Sequence, residues 1–150
     1  MVFYAIVVLV VIVDQLSKIL IRSNVDLGEY TRLGWLRITH YENSGMAGSM
    51  FPGYGWLFGI FAFAFVIWVL YFRWKSESKS LLLDISLGFL VGGAIGNGVD
   101  RLLFGQVTDF LVRSRGILNV ADHAIEAGVL FFLAHSLTLL WKSRREAKAQ

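Results

Sequence analysis

The chain has no cysteine, which excludes both a disulfide framework and a thiol nucleophile. Charge is also scarce. Asp, Glu, Lys and Arg make up 17% of the 150 residues, where soluble domains carry nearer a quarter. The net charge of +3 is small and scattered, so nucleic acid is not an expected partner. The sequence contains no HExxH and its three histidines, His40, His123 and His135, stand far apart, which leaves no zinc signature. A GxSxG nucleophile elbow is absent too. No internal repeat or low-complexity segment breaks the chain, and at this length one domain over residues 1–150 is the default.

Apolar length is plentiful. Hydrophobic residues reach 56%, aromatics 15%, and mean hydropathy is +0.62. About 20 mostly apolar residues cross a hydrocarbon core as a helix. Four such spans are predicted, at about 2–21, 53–72, 81–99 and 120–141. The first lacks a basic leader and holds Asp14 and Lys18 where a secretory signal needs unbroken apolar residues, so it reads as a retained helix. Lysine and arginine set the orientation. Arg73, Lys75 and Lys79 crowd the link after the second span, and Lys142, Arg144, Arg145 and Lys148 crowd the tail. Their density predicts cytoplasmic termini, with segments 22–52 and 100–118 outside. LGWLRITHYEN in the first outer segment partly alternates and is rich in β-branched and aromatic types, as a strand or two would be. Trp35, Tyr41, Tyr54 and Trp56 suit the headgroup level.

Against this background the polar residues stand out. Asp14, Lys18, Asp100, Arg101, Asp109 and Asp122, each alone at mid-bilayer, would together cost on the order of 15 kcal/mol, at roughly 2.5–3.5 kcal/mol apiece. That rivals the whole stability of a domain, so they must pair or lie near an interface. In the predicted topology the first and third spans run outward and the fourth starts outside. Asp14, Lys18, Asn97, Asp100, Arg101, Asn119 and Asp122 then converge on the outer boundary, with Asp109 in the outer loop.

Spacing adds local detail. Asp14 and Lys18 are one turn apart and suited to an ion pair, which a structural clamp would explain equally well. Asn97, Asp100 and Arg101 stand at i, i+3 and i+4 on one helix face. Asn119 suits the cap of the fourth span with Asp122 at N3; capping alone would explain it. Glycines 92, 93, 96 and 98 put a small-residue face on the third span for close packing. His135 reads as a hydrogen-bonded core residue. Among chemistries, Asp109 and Asp122 stay open as a pair of carboxylates. If they share one proton, the ionised partner draws a proton from water and the protonated one donates to the carbonyl or the leaving amine. Like charges in a poorly solvated site cannot both ionise cheaply. Thirteen residues of separation do not decide whether they meet. Rival readings are a serine–lysine peptidase using Ser44 or Ser17 with Lys18, a small proton-coupled exporter, and a scaffold without chemistry. Adjacent helix residues do not face each other, which weakens Ser17 with Lys18.

Four blocks, DQLSK at 14–18, NSGMA at 43–47, GGAIGNGVDRLLFGQVTDF at 92–110 and NVADHAIEAG at 119–128, resemble lipoprotein signal peptidase (signal peptidase II), in family order along nearly the whole chain. The resemblance implies an all-α membrane protein with four transmembrane helices and a small extracytoplasmic β-cradle, forming a single integral-membrane peptidase domain. It implies an aspartic endopeptidase that removes the signal peptide from diacylglyceryl-modified prolipoproteins, cutting before the lipidated cysteine. Asp109 and Asp122 take the catalytic positions. Asp14, Lys18, Asn43, Gly45, Asn97, Asp100, Arg101, Asn119 and Ala121 take supporting or substrate-binding ones. On this reading Arg101 and the amides of Asn43 and Asn97 orient the substrate backbone. No metal or organic cofactor is implied; the implied partners are prolipoprotein substrates and membrane lipids, and a monomer is expected. The chain departs from the pattern at Gly48, where an aromatic is usual, and in lacking a proline before Asn119. His123 and Glu126 match no family role. Glu126, one turn beyond Asp122, would raise the Asp122 pKa by like charge or would simply be exposed or paired.

Overall fold

The computed structural model describes residues 1–75, 80–114 and 116–149. Among these, four helices are long and apolar enough to cross a membrane. They are α1 (Val2–Asn24), α2 (Gly55–Lys75), α3 (Leu81–Phe104) and α4 (Val120–Ala149). Each runs past the C-terminal end of its predicted apolar span, and α2 begins two residues later than predicted. Polar residues at the helix ends are compatible with helix once their groups are bonded, and α3 in particular runs past Asp100 and Arg101 to Phe104. Gly105, at φ 72°, ends it in the left-handed conformation that glycine adopts most readily, with its N–H on the Arg101 carbonyl.

The helix α3 is central. Some 61% of its span is buried, against 17–22% for the other three, and it packs on all of them. The glycines explain how, and they correct the single small-residue face read from sequence. Gly92 abuts Val10 of α1, Gly93 abuts Ala121 of α4, Gly96 abuts the Asp14 carboxylate of α1 and then Ala121, and Gly98 abuts Phe63 of α2. They serve three faces, because three helices surround α3. A Cβ at Gly93 would lie 2.5 Å from the Ala121 carbonyl oxygen and 2.7 Å from Ile125 Cγ1. The first is backbone and cannot swing away. Gly93→Ala is therefore expected to destabilise the protein by about 1–3 kcal/mol, read as a lower melting temperature in detergent.

On α1 the buried positions Phe3, Val10, Asp14, Lys18 and Ile21 are spaced by seven, four, four and three residues and form one seam. Phe3, with Val7 beside it, joins Val66, Val69, Leu83, Leu87, Val91 and Ala94 in the main core. The charged part of the seam lies at the far end. At the opposite end, Arg73 of α2 pairs with Asp84 of α3. Of the basic residues read in the 73–79 link, Arg73 and Lys75 finish α2, and Lys79 lies outside the described residues. His135 is buried and bonds Ser80 Oγ at 3.2 Å, as a core histidine should.

Four strands form an antiparallel sheet in the order β1 (Tyr30–Leu33), β2 (Leu36–Asn43), β3 (Val107–Arg113) and β4 (Gly116–Leu118). The sheet sits at the end of the bundle where α1 and α3 finish and α4 begins. Ile21, Ile38 and Phe110, with Val25, Leu36, Leu111 and Val120 around them, tie it to the helices. The strand β2 lies within LGWLRITHYEN as read, whereas β1 precedes that stretch and shares only Leu33 with it. The other two correct the reading of 100–118 as loop: Asp109 lies in β3, paired with Tyr41 of β2. The seven residues VTDFLVR are β-prone, but they follow the end of α3 so closely that they pass for its connector.

Candidate active site

Five segments deliver polar side chains to one end of the bundle. Lys18, fully buried, meets Asp14 Oδ2 at 2.8 Å and Asp100 Oδ2 at 3.0 Å, and donates to Asn97 Oδ1 at 3.0 Å. Its three protons thus find three acceptors from two helices. Asp14 also accepts from the Ala121 N–H at 2.8 Å, one of the N–H groups that the start of α4 leaves without an intrahelical partner. The ion pair predicted from the Asp14–Lys18 spacing therefore also joins α1 to α3 and α4.

Asn119 and Asp122 form a reciprocal cap. Asn119 Oδ1 accepts from the Asp122 N–H at 2.9 Å, and Asp122 Oδ2 accepts from the Asn119 N–H at 3.1 Å. Capping is only part of the role of Asn119. Its Nδ2 donates to Asp109 Oδ1 at 2.6 Å and to Asn97 Oδ1 at 3.0 Å. Asn97 Nδ2 in turn donates to Asp122 Oδ1 at 2.8 Å. From the other side, Asn43 Nδ2 donates to Asp109 Oδ2 at 3.1 Å while its Oδ1 takes the Gly45 N–H at 3.0 Å. Asp109 and Asp122 are thus joined through Asn119, and both line one cavity of about 290 Å³. The cavity's other walls include Val107, Ile117, Leu118 and Ile125, which are apolar, and Arg101.

One sequence expectation changes here. The amides of Asn43 and Asn97 are engaged with the two carboxylates, so they position acids rather than reach outward. Arg101 donates to the Gly45 carbonyl at 3.2 Å, and its Nε is buried with no hydrogen-bond partner among the described residues. That leaves Arg101 as the cavity-lining donor with capacity to spare. Glu126 lines the cavity rim yet turns to His123 at 2.9 Å and Arg113 at 3.8 Å. It is an exposed, paired glutamate.

Electrostatics single out Asp109. Burial, and then the charge of Asp122, push its carboxyl up from 3.8 to about 7, against the opposing hydrogen bonds from Asn43 and Asn119. A carboxyl in that range can hold or release a proton at neutral pH, as acid–base chemistry requires. Among the described residues no three His, Asp or Glu side chains gather as metal ligands. Ser17 Oγ donates to the Asp14 carbonyl and Ser44 Oγ accepts from the Gly53 N–H; neither bonds Lys18, whose protons go to Asp14, Asp100 and Asn97.

The sequence profile of signal peptidase (SPase) II matches residues 6–138. The chain belongs to the signal peptidase II family. Lipoprotein signal peptidases of Listeria monocytogenes serotype 4a and Listeria innocua serovar 6a are each 35% identical to it over 142 residues, covering 90% of this chain and 92% of theirs. Two solved bacterial membrane enzymes, determined by the in meso method at 2.3 and 1.9 Å resolution, superpose with TM-scores of 0.84 and 0.80 at 30% identity. They cover 91% and 90% of this chain, and 87% and 92% of their own. As a signal peptidase II the chain is a peptidase, and its four membrane-length helices make it a multi-pass membrane protein.

Sequence reasoning passed over Gln15, Arg22, Glu42 and Thr108. Gln15 Nε2 bonds the Gly96 carbonyl at 3.0 Å and reaches Asp100 at 3.3 Å. Arg22 Nη2 lies 3.1 Å from Asp100 Oδ1. The signal for Arg22 was present: Asp14, Lys18 and Arg22 recur every fourth residue along one stripe of α1. Glu42 and Thr108 gave none, because they meet only through the register of β2 on β3.

Proposed function

We propose that this signal peptidase II removes signal peptides from diacylglyceryl-modified prolipoproteins by aspartic catalysis, cutting before the lipidated cysteine. The observation that carries the reading is the shared cavity of Asp109 and Asp122, two carboxylates from different elements coupled through Asn119. One carboxylate is ionised and takes a proton from the attacking water. The other is protonated and stabilises the developing oxyanion, and the departing amine recovers a proton from the pair as the peptide bond breaks. Arg101, which lines the cavity and spends Nη2 on the Gly45 carbonyl, holds the substrate backbone with its remaining guanidinium N–H groups. The apolar wall of Val107, Ile117, Leu118 and Ile125 suits the apolar side chains of a signal peptide.

The sheet and cavity lie at the outer face of the cell membrane and both termini lie in the cytoplasm, in one membrane domain acting as a monomer. This orientation rests on the basic residues at the opposite end of the bundle, Arg73, Lys75, Lys142, Arg144, Arg145 and Lys148. The acids gather at one boundary rather than along a mid-bilayer path, which disfavours an exporter. Acyl chains of the substrate stay in lipid while the scissile bond reaches the cavity.

The test is cleavage of a diacylglyceryl prolipoprotein and its unmodified precursor by purified enzyme across pH. Rapid cleavage of the lipidated form only is expected, with the rate falling as pH rises through about 7, where Asp109 loses the proton the pair shares. Equal cleavage of both forms, or a rate still rising well above that pH, would refute the reading. Stability carries the same sign. The folded state holds a proton on Asp109 between 3.8 and about 7 that the unfolded chain has released, so this group's contribution falls as pH rises across that window.

A further inference from the structure

The two faces of β3 meet different surroundings. Val107 and Asp109 line the cavity. Thr108 and Phe110 alternate to the back, where Phe110 packs on Ile21 at the end of α1. Thr108 is fully buried there. Its hydroxyl accepts from Arg22 Nε at 2.6 Å and donates to Glu42 Oε1 at 2.8 Å, so the hydroxyl both accepts and donates. Its backbone N–H points to Asp100 Oδ2 at 3.4 Å. Arg22 also reaches Asp100 Oδ1 at 3.1 Å and lies 4.5 Å over the Phe104 ring. One guanidinium therefore links α1, the end of α3 and the residue next to Asp109.

That link falls in a short run of regular pairing that adjoins an irregularity in the sheet. Tyr41 pairs with Asp109, Glu42 with Thr108 and Asn43 with Val107, but the register shifts between Tyr41 and Ile38, which pairs with Leu111. The irregularity begins directly beyond Asp109. A slip of one residue along a strand sends every side chain to the other face, and here it would carry Asp109 out of the cavity. Backbone pairing on the Leu111 side cannot prevent this across the irregularity. The anchor at Thr108 can.

We propose that Arg22 is a positioning residue for the cleavage reaction, holding β3 through Thr108 in the register that aims Asp109 into the cavity. The proposal rests on the reading of Asp109 given above. Glu42 completes the grip on Thr108 from β2, and is itself steadied by His40, whose Nε2 lies 2.9 Å from Glu42 Oε1 while Nδ1 donates to the Val25 carbonyl at 2.9 Å.

The experiment compares Arg22→Gln, Thr108→Val, Thr108→Ser and Asp109→Asn with wild type on a diacylglyceryl prolipoprotein, normalised to folded enzyme. Arg22→Gln and Thr108→Val are expected to lower kcat by about 10-fold to 100-fold with KM little changed. Their alkaline pH limb moves to lower pH as water reaches Asp109. Thr108→Ser keeps the hydroxyl and retains most of kcat. Should Arg22→Gln fail to fold, the Val and Ser variants of Thr108 decide between them, since both are close in size to threonine. Wild-type kcat and pH profile in folded Arg22→Gln and Thr108→Val, beside an inactive Asp109→Asn, would overturn the positioning role alone. An active Asp109→Asn would overturn the aspartic reading and the positioning role together.

Discussion

Asp109→Asn and Asp122→Asn, each folded, will cleave diacylglyceryl prolipoprotein at least about 10³-fold more slowly than wild type, the scale of a lost general acid or base. Ser17→Ala and Ser44→Ala will stay near the wild-type rate, because Ser17 is bonded to the Asp14 carbonyl and Ser44 to the Gly53 N–H. The two asparagine variants should differ in stability. At Asp109 an amide oxygen can still accept from Asn119, while its NH2 group opposes the donor of Asn43. The same change removes a carboxyl whose burial disfavours ionisation, so the pH slope of melting temperature between 3.8 and about 7 should shrink. At Asp122 the amide oxygen can serve either the Asn119 N–H or Asn97 Nδ2 while the NH2 group opposes the other, and loss of the Asn119 bond costs about 1 kcal/mol of helix-cap stability. Single-turnover cleavage and thermal melts on the same preparations check both. Turnover near wild type by either variant would remove the dyad.

Much of this arrangement was legible from local rules. The seam of α1, the Asp14–Lys18 pair and the Asn119–Asp122 cap depend on helical periodicity, which is a property of neighbours three or four residues apart. The convergence of acids on one end followed from counting spans. What local rules could not supply was anything set by the sheet. Asp109 was read as loop because β3 gains its structure from pairing with β2, 66 residues away at Asn43–Asp109 contact distance. The same holds for Thr108 with Glu42. The glycines of α3 were legible as small residues, but which neighbour each one admits depends on the angular order of α1, α2 and α4 around that helix. Asn43 and Asn97 show a further limit. Their residue type suits substrate binding, and only the count of their bonds reveals that both are engaged with the carboxylates.

Lys18→Met should be the most destabilising single substitution at the site. The ammonium is fully buried, and so are Asp14 and Asp100. Removing it strands two carboxylates that must then be protonated or left unpaired, and breaking a buried ion pair from one side costs about 3–5 kcal/mol. Against a total of about 5–15 kcal/mol, that is enough to lower the folded yield in detergent and the melting temperature sharply. Arg22 remains beside Asp100 at 3.1 Å and offsets part of the loss there, but Asp14 has no second cation among the described residues. It keeps only the Ala121 N–H and Gln15. Adding Asp14→Asn and Asp100→Asn to Lys18→Met should therefore recover much of the melting temperature, because the charges that needed the lysine are gone. Activity should not return with it. Lys18 also fixes Asn97 Oδ1, and Asn97 holds both Asp122 and Asn119, so the triple variant would fold with its carboxylates no longer held in place. A wild-type melting temperature for Lys18→Met would show that the buried charges are compensated elsewhere, and a triple variant with full turnover would show that Asn97 needs no anchor.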